Sequence, residues 1–260
     1  MTAALHAEFL KLRTTRLVAG MTGIAVALTA LIGILEAVTA GTGTGMAIPS
    51  LATAAGLRDN LASPGFALLI AALLGVVSAS GEFRLKTATD TYLDQPRRGR
   101  VLAAKAVAAA AGGALLGIAA AAAATGIALG FAASRGFPLA LPATTIARYT
   151  SGTIVGAALL AAAGVGAGSL IRHQVGAIIA VVSWGLVVEL VVAATLPSAG
   201  RFLPYTAAAM MAGDTNGGGM PQIPRGVIAL PYPAAIAVLA AIVVAIAAAA
   251  TLTTARRDVA

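Results

Sequence analysis

The stretch Gly81–Lys105, GEFRLKTATDTYLDQPRRGRVLAAK, decides the fold, because it is the one long segment in the first two-thirds of the chain that water would prefer to lipid. Apolar runs of spanning length flank it, 64–80 before and 101–131 after. Six of the seventeen Lys and Arg residues sit in it: Arg84, Lys86, Arg97, Arg98, Arg100 and Lys105. Lys and Arg near span ends set orientation, so a short, strongly basic loop between two spans is expected on the cytoplasmic side. The rest of the topology is counted outward from it.

Composition supports a membrane protein. Of 260 residues, 59% are hydrophobic and 10% charged, where a soluble domain averages about 25% charged. Ala and Gly dominate and aromatics are scarce, which lets transmembrane helices approach closely. The net charge of +8 raises the question of nucleic acid. Its charges, however, sit at span ends rather than on a soluble face, so positive-inside topology accounts for them and no nucleic-acid partner is expected. Cysteine is absent, which excludes disulfides and thiolate metal sites.

Upstream of the loop, residues 1–16 (MTAALHAEFLKLRTTR) place Leu5, Phe9 and Leu12 on one helical face, with Lys11, Arg13 and Arg16 beside it. The pattern predicts a short amphipathic helix along the cytoplasmic interface. A cleaved signal peptide is the competing reading, with residues 38–40 as its cleavage site. The apolar run 17–35 is long for that, and further spans follow, so an uncleaved anchor is expected. Spans are predicted at about 17–38, 64–80, 102–131, 148–171, 175–196 and 232–254. The third is longer than the ~20 residues a crossing needs. Leu51–Leu61 reads as an interfacial turn, and Arg172–Gln174 as a very short inner turn. Within the central loop, Leu85, Ala88 and Tyr92 predict a surface helix that Pro96 would stop. Residues 202–211, in a long Pro- and Gly-rich segment, are apolar enough to re-enter the membrane as a broken helix.

A charge count favours one orientation. Lys11, Arg13, Arg16, the six central residues, Arg172, Arg256 and Arg257 make twelve inside; Arg58, Arg135, Arg148, Arg201 and Arg225 make five outside. The expectation is an all-α, single-domain integral membrane protein, multi-pass in the plasma membrane, with both termini cytoplasmic.

Catalytic motifs are missing. No phosphate loop G-x-x-x-x-G-K-[ST] and no H-E-x-x-H zinc motif occurs, and Gly166–Ala167–Gly168–Ser169 fails to match G-x-S-x-G. Close helix packing explains that small-residue run better. Glu189, in WGLVVELVV, is an ionisable group inside a span and hence a functional candidate, with a hydrogen-bonded interior glutamate as the alternative. Glu36 is expected to be exposed at the interface at the outer end of the first span. Gly113/Gly117 and Gly152/Gly156 fit the G-x-x-x-G packing pattern, which thirty glycines would also produce by chance.

Two motifs carry a family resemblance. The N-terminal EFLKLRTTR (Glu8–Arg16) and the central GEFR…TAT…PRRGRVLAAK (Gly81–Lys105) resemble the permease subunits of type-2 ATP-binding-cassette (ABC) exporters, especially actinobacterial ones, and the six-span layout extends the resemblance to the whole chain. The resemblance implies a half-transporter that pairs with a second permease, identical or not, and with two copies of a separate cytoplasmic ATPase. That ATPase would bind the ATP and Mg; this chain would bind no cofactor and no metal and would not itself be an enzyme. It further implies that residues 1–16, with Leu5, Phe9, Lys11, Leu12 and Arg13, form a connecting helix. Glu82–Asp94 would be the coupling helix, so that Glu82, Phe83, Arg84, Thr87, Asp90, Tyr92, Arg97, Arg98 and Arg100 would contact the ATPase. The segment after the fifth span would hold re-entrant helices closing an outer gate. The scarcity of aromatics departs from a large aromatic-lined drug site and favours a narrow central path. The alternatives are an ion-coupled secondary transporter using Glu189, and a non-transporting membrane scaffold.

Overall fold

The computed structural model describes residues 2–42, 48–84, 98–171, 173–214 and 226–256. These form helices α1 (Thr2–Thr14), α2 (Leu17–Thr39), α3 (Ala54–Leu61), α4 (Gly65–Arg84), α5 (Arg98–Ser134), α6 (Ala143–Ile171), α7 (Gln174–Ser183), α8 (Glu189–Thr195), α9 (Pro197–Gly200), α10 (Pro204–Met211) and α11 (Tyr232–Arg256). A π-helical turn, Trp184–Val188, joins α7 and α8 into one rod. Among the described residues there is no strand. Among the described residues, six segments are long and apolar enough to cross a membrane: Leu17–Thr39, Ala54–Glu82, Gly99–Ser134, Ala143–Ile171, Gln174–Thr195 and Tyr232–Thr253. The chain is therefore a multi-pass α-helical membrane protein.

Burial separates the helices into a centre and a periphery. The span containing α4 is 78% buried and α6 is 56% buried, whereas α2, the α7–α8 rod and α11 are each 17% buried. The first two form the centre, and the last three present apolar side chains such as Leu31, Val191 and Val244 to the surroundings. At the α4–α6 crossing a Cβ on Gly75 would strike the Ala161 carbonyl, and one on Gly164 would strike that of Ala72. Backbone-to-backbone packing at this distance admits no side chain. On its other faces α6 meets α5, where a Cβ on Gly113 would come within 2.6 Å of the Ala157 oxygen, and α10, where Gly152 abuts the Met211 carbonyl. Within the run 164–169, Gly168 lies against Val76 and Gly166 against Ile246. The Ser169 hydroxyl is buried and donates to the Val165 carbonyl at 2.8 Å. Packing accounts for this segment.

Three local expectations are corrected. The apolar face expected on α1 is split: Leu5 and Leu12 are partly buried, but Phe9 is 44% exposed, and the residues turned fully inward are Ala4 and Glu8. Glu8 is held by a lysine of α5, and the neighbouring residue on a helix points ~100° away, so Phe9 faces outward. Glu36, expected at an exposed interface, is buried. Residues 54–61 are a helix rather than a single turn, and α3 packs over the face of α2 that carries Glu36; Asn60 Nδ2 donates to the Gly33 carbonyl at 2.8 Å. At the junction of α1 and α2, Arg16 adopts φ 53°, a left-handed conformation that turns the chain sharply from one helix into the next.

Candidate functional site: a charged node and a capped buried helix

Charge is concentrated at the end of the bundle where α1 lies. Glu8 and Lys11 come from α1, Glu82 from the last turn of α4, and Lys105 from the second turn of α5. Lys105 Nζ lies 2.6 Å from Glu8 Oε2 and 2.9 Å from Glu82 Oε1. Lys11 Nζ lies 2.8 Å from Glu8 Oε1 and 2.7 Å from the same Glu82 Oε1. The four form a closed ring of alternating charge with no net charge. Lys105 and Glu8 retain only 7% side-chain exposure each, and desolvation of this degree costs several kcal/mol per ion unless opposite charges sit close by. Two carboxylates around Lys105 meet that requirement. Burial alone lowers the Lys11 pKa, but its hydrogen bonds to Glu8 and Glu82 outweigh burial and hold it above the ordinary lysine value.

The ring closes both ends of the central loop. Glu82 precedes residues 85–97 and Lys105 follows them, so the loop leaves and re-enters the bundle at a fixed base tied to α1. Phe83 and Arg84 lie in the last turn of α4, Arg98 and Arg100 in the first turn of α5, and Arg100 is exposed. Thr87, Asp90, Tyr92 and Arg97, with the surface helix expected around them, lie outside the described residues. Arg13 is exposed beside the ring. The sequence contains a signal for this node: Glu8 and Lys105 are charged residues placed on otherwise apolar helical faces.

A second polar site occupies the middle of the rod. Glu189 is buried, and its carboxylate accepts four hydrogen bonds. Oε1 accepts from Trp184 Nε1 at 3.0 Å and Tyr205 N at 2.9 Å; Oε2 accepts from Thr206 N at 2.8 Å and Thr206 Oγ1 at 3.0 Å. Tyr205 and Thr206 are in the first turn of α10, whose N–H groups have no partner within the helix, and Pro204 opens that turn because it needs no such partner. Glu189 thus caps α10 from another helix, its negative charge at the positive end of the helix dipole. The π turn before Glu189 inserts an extra residue into the rod and sets the carboxylate's angle of approach. Helix α10 is buried from Tyr205 to Met211, and Tyr205 Oη reaches back to the Gly65 carbonyl at the start of α4. A cleft of about 560 Å³ lies alongside, lined by apolar side chains including Leu69, Leu203, Ile242 and Ile246 with Trp184 and Glu189 at its polar end.

These arrangements hold charge and fix helices; they do not assemble a nucleophile with a base. His173 accepts from Gly176 N at 3.0 Å and caps α7. Among the described residues no three His, Cys, Asp or Glu side chains are grouped so as to hold a metal ion. The fold and these sites define a polytopic helical membrane protein with a buried ring of paired charges at one end. No family model matches the chain, and neither do any curated protein or solved structure.

Proposed function

We propose that this chain is the membrane-spanning permease subunit of a type-2 ABC exporter, moving a substrate outward at the expense of ATP hydrolysed by a separate cytoplasmic subunit. The observation that carries the reading is the charged ring. The two sequence motifs that resemble those permeases lie more than seventy residues apart, yet each contributes one acid and one lysine to a single buried cluster. That cluster couples α1 to the base of the basic loop. A protein docking on residues 85–97 would pull on α4, α5 and α1 together, as an ATP-driven engine requires. The basic loop and both termini are cytoplasmic on this reading, and the capped helix α10 is the re-entrant segment near the outer gate.

The test is purification of the tagged chain from its native host in nanodiscs, with mass spectrometry of what accompanies it. A stoichiometric ATPase carrying a phosphate loop is expected. Charge reversal at Asp90 and Arg97 should release it while leaving the bundle intact; these positions serve better than Glu82, whose reversal would also break the ring. Retention of the ATPase in the reversed variant would overturn the assignment of the loop as its docking surface, and its reproducible absence from the unmodified chain would overturn the exporter reading.

A further inference from the structure

Helices α4, α6, α10 and α11 and the α7–α8 rod all border the apolar cleft beside Glu189. Ala72 on α4 and Gly164 and Ala167 on α6 contribute little or no side chain, which leaves the room; Val181 on the rod and Ile242 and Ile246 on α11 add branched aliphatic surface. The α6 residues that line the cleft run from Leu160 to Ile171, about 16 Å of helix. Ile171, Trp184 and Phe202 border it and are 41%, 48% and 46% exposed. Ile171 and Trp184 belong to spanning segments, so in a bilayer this border meets hydrocarbon and not water.

The lining specifies what fills the cleft. An apolar cavity does not hold water, and an empty one forfeits dispersion contacts along its walls. The Glu189 oxygens have little to offer a ligand, since each already accepts two hydrogen bonds. A helix is about 10 Å across and over about 16 Å would displace roughly twice the 560 Å³ at hand, whereas an extended alkyl chain is far slimmer. Charge is supplied at the Phe202 border. Arg201, half-buried between α9 and α10, holds its guanidinium carbon 4.8 Å from the centre of the Phe202 ring. Its Nε has no acceptor, and none of the ion pairs among the described residues includes it. A guanidinium fork matches the oxygens of a phosphate. We infer that the cleft binds one acyl chain of an anionic phospholipid, with the lipid phosphate on the Arg201 guanidinium. The inference goes beyond the exporter reading and does not depend on it.

Trp184, the single tryptophan, borders the cleft and reports its occupant. The full chain is placed in nanodiscs of equal phosphatidylglycerol and phosphatidylcholine content, with brominated acyl chains on one lipid or the other. Bromine quenches tryptophan fluorescence on contact, and the membrane charge is the same in both arms. Quenching is expected to be stronger from brominated phosphatidylglycerol, corresponding to about a fivefold preference for the anionic lipid. Arg201→Gln should bring that preference close to one by removing the charge. Ala163→Leu combined with Ala167→Leu should do the same by filling the cleft from α6. If Arg201→Gln fails to fold, the cleft-filling variant decides. Equal quenching by the two lipids in the unmodified chain, or a preference that persists in either variant that folds, would overturn the inference.

Discussion

A carboxylate inside an apolar bundle is tolerated when enough donors converge on it, and Glu189 meets four. Two donors are backbone N–H groups fixed by the first turn of α10, so they cannot rotate away. With two hydrogen bonds on each oxygen, little capacity remains for a travelling ion. Glu189→Gln would turn its NH2 group toward Thr206, whose hydroxyl can accept from it while the Thr206 N–H loses its acceptor, and the bonds that remain would no longer be to a charged group. Hydrogen bonds to a charged group are worth about 1.5–3 kcal/mol each, so a loss of roughly 3 kcal/mol is expected. Unfolding followed by fluorescence of Trp184, the single tryptophan, would measure it. If Glu189 instead carried a coupling ion, the same variant would lose ion-driven flux while keeping its stability. Glu189 was legible in the sequence because a lone acid in WGLVVELVV stands out; its partners were not, since backbone N–H groups sixteen and seventeen residues on leave no mark in composition.

At the scale of elements, hydropathy located the six spans because each crossing requires an unbroken apolar run, and helix ends differ from the expected ones by a few residues. The pairing of helices was less legible. Gly113/Gly117 and Gly152/Gly156 do sit at helix crossings, on α6 or against it. Gly126/Gly130 on α5 has the same spacing and faces open space, with nothing within 4 Å of a Cβ at either position. Spacing reports a smooth helical face but not what lies opposite. The two classes should respond differently to alanine. Gly152→Ala and Gly164→Ala would drive a methyl into a backbone carbonyl and should cost about 1–3 kcal/mol. Gly126→Ala and Gly130→Ala should be neutral or should stabilise by up to about 1 kcal/mol, as expected from helix propensity. Midpoints of unfolding for the four variants would compare them, and a large loss at Gly126 would mean that this face is packed by another chain.

For the whole molecule, the charged ring joins α1 to the two helices that flank the basic loop. The positive-inside count treated Lys105 as one more charge at a span end, and nothing local shows that its partner Glu8 lies ninety-seven residues earlier. A side chain with 7% exposure contributes through its partners rather than to the surface. Lys105→Met would leave Glu8 and Glu82 with Lys11 alone, so one buried carboxylate would lose its compensation. Breaking a buried pair from one side costs about 3–5 kcal/mol, whereas replacing both members by apolar groups is often close to neutral. Lys105→Met should therefore destabilise by about that amount, and Lys105→Met combined with Glu8→Leu should recover much of it, because Glu82 then keeps Lys11 as its partner. Lys11→Met should cost less than Lys105→Met, since Lys11 is 43% exposed and water already shares its charge. A double-mutant cycle on unfolding midpoints measures all three. Two spin labels in this cysteine-free chain, one on α1 and one on an exposed position of α5, then report whether α1 separates from the bundle in Lys105→Met. Separation with the spans still folded would show that the ring, and not the apolar contacts of Leu5 and Leu12, holds α1 to the base of the loop. An α1 that stays in place would assign that role to the apolar contacts and leave the ring as a device for burying charge.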